Sequence, residues 1–298
     1  MRETPAYPNP ESAETAIILV HYGDAGVTRR CLESLARHEP APHRVFIADH
    51  GPARGLAEAL AGAHPHVRIL ERENLGFASG CNAAAEAAFR EGCGRVWFLN
   101  NDAVLEGPVL TGLLEAARIH PVALWGTFQR DGQKRTGLDR LPRWFPDPPG
   151  SGAPRVEGLP ATFHQLGTRE TLSGASILVE RRHWDALGPW PEWCFLYWED
   201  VAWCLEAHAK GLPLVMTDLE VAHRCNTATG HHSPLATYYG VRNGLLLHRD
   251  LWPEKSRQRF LQGLHLLQKR LFQGNWAMLA PTLRGLRDAG RDLRRASF

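Results

Sequence analysis

A short run of amides and a carboxylate, Asn100-Asn101-Asp102, follows the apolar segment Val96–Leu99 near the middle of the chain. The apolar segment has no helical stripe, which is typical of a strand buried on both faces of a parallel sheet. Such a strand delivers the next residues to the carboxyl edge of the sheet, where open α/β folds bind ligands. Oxygen ligands at this edge suit a hard divalent cation that also contacts phosphate oxygens. A plain turn is the alternative, because Asn and Asp also favour turns.

A second group of candidate catalytic residues is the acidic pair Glu199 and Asp200, which begins a predicted helix. One carboxylate can be explained by structure alone, since negative charge at a helix N-terminus complements the helix dipole. The pair also follows an aromatic segment that runs from Trp190 to Trp198. An apolar wall can raise the pKa of a carboxyl group and suit it to proton transfer.

Three histidines, His223, His231 and His232, follow the last predicted strand. Zinc binding by these histidines with a cysteine is disfavoured, because their spacing matches no standard ligand pattern. A single histidine that joins a cation held by Asp102 remains an open alternative.

The strands and helices that position these groups can be predicted from the apolar pattern of the chain. Apolar runs predict strands at Ala16–Val20, Arg44–Ala48, Val67–Leu70, Val122–Trp125, Ser173–Glu180 and Leu214–Thr217. Helical spacing follows them at 27–35, 56–60, 83–92, 109–119, 181–187 and 199–208. The alternation predicts an α/β fold with a mostly parallel sheet, right-handed crossovers and flanking helices. From about residue 126 to 171 the pattern dissolves, which favours a mobile loop or a binding lid.

Two glycine-bearing turns precede predicted helices. The turn at His21–Gly26 lacks the GxGxxG spacing with which a helix N-terminus approaches a pyrophosphate, and this argues against a nicotinamide enzyme. The segment Asn74–Asn82 lets the backbone pass close to a ligand, with close helix–sheet packing as an equally weighted alternative.

Composition bounds the class of protein. The length of 298 residues fits one main α/β domain with an extension, and a net charge of +2 is too small to imply a nucleic-acid partner. Six scattered cysteines without a CxxC pair predict free thiols in a reducing compartment. No run approaches the roughly 18 apolar residues of a spanning helix. We therefore expect a cytoplasmic protein, peripheral to a membrane at most, with residues 1–15 as a flexible leader.

The chain becomes basic beyond Pro253. Ten Lys and Arg residues face three Asp and Glu residues there, a net charge of +7, and apolar residues are interleaved with them. This pattern predicts a basic amphipathic helical extension at 251–298. Two alternatives stay open for its apolar face: it packs on the main domain, or residues 254–298 contact an anionic membrane surface.

The motifs recur in a fixed order along the chain. They are ILVHYGDAG at the first strand, Asp49 after the second, NLGFASGCN at Asn74–Asn82, FLNNDAV at Phe98–Val104, SGASILVERRHWDALG at Ser173–Gly188, FLYWEDVAWCLEAHAKG at Phe195–Gly211, VAHR at Val221–Arg224 and YYGVRNGLLLHRD at Tyr238–Asp250. In this order they resemble the family 2 inverting glycosyltransferases of the GT-A fold, particularly the bacterial rhamnosyltransferase-like branch. The resemblance implies a GT-A domain at 16–250, with a nucleotide-binding half at 16–125 and an acceptor and catalytic half at 126–250.

The same resemblance implies a role for individual residues. Those implied to bind the nucleotide are His21, Tyr22, Asp24, Asp49, Asn74, Gly76, Phe77, Gly80, Asn82, Asn101 and Arg242. Asp102 would bind Mg or Mn on the diphosphate, with Asn100 and His223 completing the metal site. Asp200 would be the catalytic base with Glu199 beside it, and Trp198 and Gly174 would contact the acceptor.

The resemblance predicts an inverting glycosyltransferase that moves a sugar, rhamnose being one candidate, from a dTDP- or UDP-sugar to a glycan or lipid-linked saccharide of the cell surface or wall. Asn100 replaces the first acid of the family's DxD motif, and Ala202 replaces the second acid of its ED-x-D pattern. Gly23 and His50 each replace a usual Asn. These departures motivate the alternative of a non-catalytic sugar-nucleotide or glycan-binding relative. A nucleotidyltransferase is a third alternative, and a second copy of the chain is a further candidate partner.

Overall fold

The computed structural model describes residues 14–51, 55–61, 63, 66–148, 153–223, 233–272 and 274–295. Nearly all of the predicted leader, and both His231 and His232, lie outside these residues.

Twelve strands are formed within the described residues. They are β1 (Thr15–His21), β2 (His43–Asp49), β3 (Val67–Glu71), β4 (Arg95–Leu99), β5 (Ala103–Val104), β6 (Leu124–Asp131), β7 (Lys134–Thr136), β8 (Leu138–Arg140), β9 (His164–Gln165), β10 (Glu170–Leu172), β11 (Ser176–Glu180) and β12 (Leu214–His223).

Nine α-helices are formed within the same described part of the chain. They are α1 (Ala25–His38), α2 (Leu56–Ala59), α3 (Phe77–Arg90), α4 (Val109–Ile119), α5 (Arg181–Leu187), α6 (Glu199–Ala209), α7 (Pro234–Leu251), α8 (Ser256–Phe272) and α9 (Leu279–Arg295). Short 3-10 helices lie at Glu192–Cys194 and Trp276–Met278.

The main sheet, as far as the chain is described, has the strand order β3-β2-β1-β4-β11-β6-β12-β5. Strands β1, β2, β3 and β4 run parallel to one another, β12 runs parallel to β6, and β11 is antiparallel to its neighbours β4 and β6. The predicted mostly parallel sheet with flanking helices is confirmed.

The two faces of this sheet carry separate apolar cores, which explains why its strands read as continuous apolar runs. Ile17 and Leu19 pack in the core on one face, whereas Ile18 packs in the core on the other, as the alternation of strand side chains requires. Trp97 and Phe98 divide between the two faces in the same way. The central strands are therefore fixed on both sides, and their carboxyl ends are held rigidly.

Two details of the strand prediction are wrong. The stretch 126–171 is not irregular throughout, because it contains most of β6, all of β7, β8 and β9, and the start of β10. Strands of two or three residues are too short to show an alternating pattern. The last strand also extends beyond Thr217 to His223, past a register irregularity between Met216 and Glu220 that interrupts its apolar pattern.

Candidate active site

The carboxyl ends of β1, β2 and β4 bring three predicted nucleotide-binding residues to one level of the sheet edge. His21 pairs with Asp49 in the β1–β2 register, and Asn101 follows the end of β4, which pairs with β1 on its other side. The hydroxyl of Thr28 joins them, since it lies 2.8 Å from His21 Nδ1 and accepts a 2.8 Å hydrogen bond from Asn101 Nδ2. Burial lowers the pKa of His21, which favours its neutral form.

Three of the predicted polar residues at this edge stabilise the loops in which they lie. Asp24, Asp49 and Asn74 each accept a hydrogen bond, of 2.8, 2.8 and 3.1 Å, from the backbone amide two residues ahead. Asp24 thereby caps the N-terminus of α1. Tyr22 lies beside them with its side chain exposed.

The predicted metal residues are assembled by a short strand pairing. The end of β12 pairs antiparallel with β5, and His223 is thereby aligned with Ala103, the residue after Asp102. Nε2 of His223 lies 2.8 Å from Asp102 Oδ1 and 3.0 Å from Asn100 Nδ2. All three predicted metal residues therefore lie together at the sheet edge.

The atoms of these three side chains determine which metal ion they could bind. Across the described ranges, no group of three or more His, Cys, Asp and Glu residues could hold a metal ion by itself. A carboxylate, an imidazole and an amide oxygen fit Mg²⁺ or Mn²⁺ that takes further oxygen ligands from phosphate, because Mg²⁺ sites commonly use one or two carboxylates and substrate phosphates. The residues present thus fit a cation that binds together with a diphosphate.

The start of α3 lies against the aromatic segment before α6. Phe77 N donates a 2.7 Å hydrogen bond to the carbonyl of Phe195. Gly76 has a φ of +106°, and a Cβ there would lie 2.4 Å from the same carbonyl oxygen. Only glycine permits this approach, so Gly76 and Phe77 join the predicted nucleotide-binding loop to the segment that precedes Asp200.

Two other residues predicted to bind nucleotide lie inside the protein. Gly80 allows α3 to approach His50, whose Cε1 would be 2.8 Å from an added Cβ. Asn82 is buried, and its side chain donates to Trp190 O and Glu192 Oε1 at 2.9 Å and accepts from Trp190 N at 2.8 Å. In this structure both residues pack α3 against its neighbours.

The acidic pair begins α6, as the sequence indicates. Asp200 is partly buried and accepts hydrogen bonds of 2.8 Å from the backbone amides of Gly174 and Val201. Burial raises the pKa of both acids above the usual range, most of all through desolvation, and the neighbouring charge of Asp200 raises that of Glu199 further. Glu199 is almost fully buried, and its Oε2 has no hydrogen-bond partner within the part of the chain that the structure describes. Of the two, Asp200 is the one that solvent can reach.

Gly174 links the acidic pair to the metal residues. Its amide donates to Asp200, while the next residue, Ala175, accepts a 3.0 Å hydrogen bond from the amide of Asn100. A Cβ on Gly174 would lie 2.9 Å from Trp190 Cη2 and 3.1 Å from Asp200 Cβ. Gly174, predicted to contact an acceptor, is thus a spacer that lets the Asp200 carboxylate approach the sheet edge.

The segment between Phe195 and Trp198 has an unusual backbone. Phe195, Tyr197 and Trp198 have φ values of 55°, 64° and 76°, and such left-handed conformations cost non-glycine residues about 1–3 kcal/mol each. The fully buried side chain of Asn243 offsets this cost. Its Nδ2 donates to the carbonyl of Cys194 and lies 2.9 and 3.0 Å from those of Leu196 and Tyr197.

Arg242, on α7, and Trp198, the residue before α6, complete this arrangement. Arg242 Nη1 donates to Trp193 O at 3.1 Å and to Asn243 Oδ1 at 2.7 Å. Trp198 Nε1 donates to Gly240 O at 3.0 Å. Neither Thr28 nor Asn243 was among the predicted site residues. The YYGVRN motif pointed to the region of Asn243, whereas no pattern singled out Thr28.

The sequence of this chain is similar to those of known glycosyltransferases. Residues 16–172 match the sequence model described as Glycosyl transferase family 2. The N-acetylglucosaminyl-diphospho-decaprenol L-rhamnosyltransferases of two Mycobacterium tuberculosis strains, CDC 1551 / Oshkosh and ATCC 25618 / H37Rv, are each 28% identical over 239 residues. That match covers 72% of this chain and 77% of the relative.

Solved structures of GT-A glycosyltransferases have a similar fold. The mannosyltransferase PcManGT from Pyrobaculum calidifontis, in complex with GDP-Man and Mn²⁺, aligns with a TM-score of 0.56 at 16% identity, over 97% of this chain and 79% of that one. S. aureus TarS aligns with a TM-score of 0.53 at 16% identity over 86% of this chain, which spans 43% of that TarS chain. These likenesses confirm the GT-A fold.

Proposed function

This chain belongs to glycosyl transferase family 2, and we propose that it transfers a sugar from a nucleotide-diphospho-sugar to an acceptor hydroxyl with inversion at the anomeric carbon. The observation that carries the proposal is the short connection between two chemically distinct groups. Asn100 of the Asp102 loop bonds to Ala175, and the adjacent Gly174 bonds to Asp200. A base on one side and a diphosphate site on the other are what a direct displacement requires.

In this proposal Asp200 is the general base. It accepts the proton of the acceptor hydroxyl as that oxygen attacks the anomeric carbon and the bond to the diphosphate oxygen breaks. Its raised pKa brings it closer to the operating pH, where a general base is most effective. The two backbone amides that bond to its oxygens orient the carboxylate.

Asp102 and His223, with Asn100, would hold the divalent cation, Mg or Mn. When bound, the cation supplies a positive charge that offsets the charge developing on the leaving nucleoside diphosphate. The side chains of His21, Thr28 and Asn101 form a connected polar edge beside this position, where the nucleotide would bind.

We propose a rhamnosyl donor, with dTDP or UDP as its nucleotide, and a lipid-linked saccharide acceptor used in cell-wall or surface polysaccharide synthesis. The mycobacterial relative supports the choice of sugar and of acceptor, since it is an N-acetylglucosaminyl-diphospho-decaprenol L-rhamnosyltransferase. We also propose a cytoplasmic location, supported by the five described cysteines, which are all buried as free thiols.

A non-catalytic nucleotide-sugar binder is the second candidate, favoured by the neutral Asn100 in the metal loop. A turnover assay distinguishes the transferase from the binder. The protein is incubated with each of a panel of nucleotide-sugars and a lipid-linked N-acetylglucosamine acceptor, once in the presence of Mn²⁺ and once in the presence of a chelator. We expect cation-dependent release of nucleoside diphosphate and a product whose anomeric configuration, measured by NMR, is inverted. Binding without turnover for every donor would support the binder, and release of pyrophosphate would support a nucleotidyltransferase.

A further inference from the structure

Helices α8 and α9 contact the rest of the protein in opposite ways. Helix α9 packs against α7 through small side chains: Thr282 and Ala289 are buried, and a Cβ on Gly285 would lie 2.9 Å from the carbonyl oxygen of Tyr238. Tyr238 also donates a 3.0 Å hydrogen bond to Asp288. The side of α9 that carries these small residues is thereby covered.

Helix α8 contacts the protein largely through polar side chains. Gln258 donates to the carbonyl of Trp144, and Arg259 donates to those of Trp252 and Pro253, at 2.6, 2.6 and 3.0 Å. Gly263 is the buried residue of α8, and a Cβ there would lie 3.0 Å from Leu286 of α9. Leu266 packs against the apolar core that includes Leu245 and Ala289. Hydrogen bonds, a glycine and this one leucine therefore fill the inner side of α8.

Five large apolar side chains of α8 are exposed, among them both of its phenylalanines. Phe272 is 91% exposed and Phe260 67% exposed, and Trp276, in the turn after α8, is 68% exposed. We call the outer face of α8 the exposed set Phe260, Leu261, Leu264, Leu271, Phe272 and Trp276. Single exposed apolar residues are ordinary, but a contiguous set on one helix marks an interaction site.

The charges on α8 itself have one sign. Within Ser256–Phe272 there are four basic residues, Arg257, Arg259, Lys269 and Arg270, and no acidic residue. Of these, Arg257 and Lys269 are exposed. Exposed aromatic and leucine side chains bordered by Arg and Lys are the combination with which a helix lies in the interface of an anionic bilayer. In the described ranges no helix is both long and apolar enough to span a bilayer.

The outer face ends next to the helix that carries Arg242 and Asn243. Thr237, in the first turn of α7, lies with its hydroxyl 3.2 Å from the sulfur of Met278. Trp276, two residues before Met278, is thus close to the first turn of α7, the helix whose Asn243 contacts the segment before Asp200.

We propose that the outer face of α8 docks on the surface of an anionic phospholipid bilayer, with Phe272 and Trp276 inserted among the acyl chains and the exposed Arg and Lys side chains on the phosphates. Charge complementarity selects this occupant: a basic helix without acidic residues repels a second identical helix and attracts anionic headgroups. Docking itself does not depend on the proposed sugar transfer, because it involves none of the residues assigned to that reaction.

Flotation of the full chain with vesicles tests this proposal. We expect binding to vesicles of phosphatidylcholine mixed with phosphatidylglycerol, and much weaker binding to phosphatidylcholine alone. Raising the salt from about 0.1 M to about 1 M shortens the Debye length from about 10 Å to about 3 Å and should release much of the protein. The double variant Phe272→Ser/Trp276→Ser should lower the partition coefficient at least about tenfold. Each of Arg257→Gln and Lys269→Gln should lower it about fivefold.

The control variant is Ile119→Ser, at a 54% exposed apolar position of α4, which should bind like the parent chain. All substituted side chains are exposed, and an unchanged melting temperature verifies folding. Equal vesicle binding by the double variant and the parent would overturn the proposal. So would sedimentation that shows a dimer broken by Phe272→Ser/Trp276→Ser, in a chain that binds no vesicle, since the face would then be a self-association surface.

Discussion

Replacement of Gly174 by alanine tests how closely Asp200 must approach the sheet edge. The added Cβ would lie 2.9 and 3.0 Å from Trp190 Cη2 and Cζ3 and 3.1 Å from Asp200 Cβ, whereas carbon atoms in contact prefer about 3.5–4.0 Å. A shift of about 0.5–1 Å is therefore required. Trp190 cannot supply it, because its ring is buried between Phe98 and Trp203, with ring centroids 4.8 and 5.6 Å away.

The shift must then come from the Gly174 loop and from Asp200. Their 2.8 Å hydrogen bond would lengthen to about 3.5 Å, beyond the useful range. A displacement of 1 Å at a reacting group costs about 10²-fold in rate, so we expect kcat to fall about 10- to 100-fold in Gly174→Ala. Overpacking should lower stability by about 1–3 kcal/mol, which is several degrees of melting temperature.

Steady-state release of nucleoside diphosphate measures this effect, with the melting temperature recorded in parallel. Because the added Cβ would meet Trp190 and Asp200, and none of the residues assigned to the nucleotide or the cation, binding of the nucleoside diphosphate should persist. Gly107→Ala is the matched control, since Gly107 has open space around its Cα and no left-handed φ. If Gly174→Ala kept the parent's kcat while folded, the role of Gly174 as the spacer for Asp200 would be refuted.

Three further changes have distinct expected results. Asn243→Asp keeps the shape of the side chain but places an acceptor, where the amide donor was, against backbone carbonyls. We expect a loss of stability of at least about 1–3 kcal/mol, measured by denaturant unfolding, and a lower kcat, measured as nucleoside diphosphate release. Asp102→Asn should abolish the Mn²⁺-dependent rise in melting temperature with nucleoside diphosphate, and an unchanged rise would exclude Asp102 as a ligand. Burial lowers the pKa of His183 to about 4, so the folded state favours the neutral imidazole. The free energy of unfolding should therefore be highest above about pH 6.5 and fall by up to about 3 kcal/mol as the pH drops toward 4. In urea unfolding His183→Gln should flatten this dependence, with exposed His265→Gln as control; equal slopes in parent and His183→Gln would contradict the assignment.

Much of the fold was predictable because the central strands are buried on both faces. Strands such as β1 and β4 must then be continuously apolar, and the polar residues that follow them mark the sheet edge. The antiparallel direction of β11 was not predictable in this way, since an apolar run has no direction until its pairing partners are known.

The candidate site could be predicted from the sequence where one short segment carries the chemistry, as at Asn100–Asp102 and Glu199–Asp200. Contacts between remote segments could not. Thr28 gains its role because α1 passes beside the ends of β1 and β4, and Asn243 because α7 crosses the segment before α6. Gly174 shows a related limit: its importance lies in the space that Trp190 and Asp200 leave, which no spacing along the chain reveals.

The chemical role of Asp200 can be measured most directly in the variant Asp200→Asn, which keeps the shape of the side chain and removes its basicity. The test combines kcat for nucleoside diphosphate release with calorimetric binding of nucleoside diphosphate and Mn²⁺. We predict that kcat falls about 10²- to 10⁴-fold while the Kd is unchanged, because the base acts on the acceptor and the cation site lies in the Asp102 loop. A folded Asp200→Asn protein that keeps most of its kcat would contradict the account.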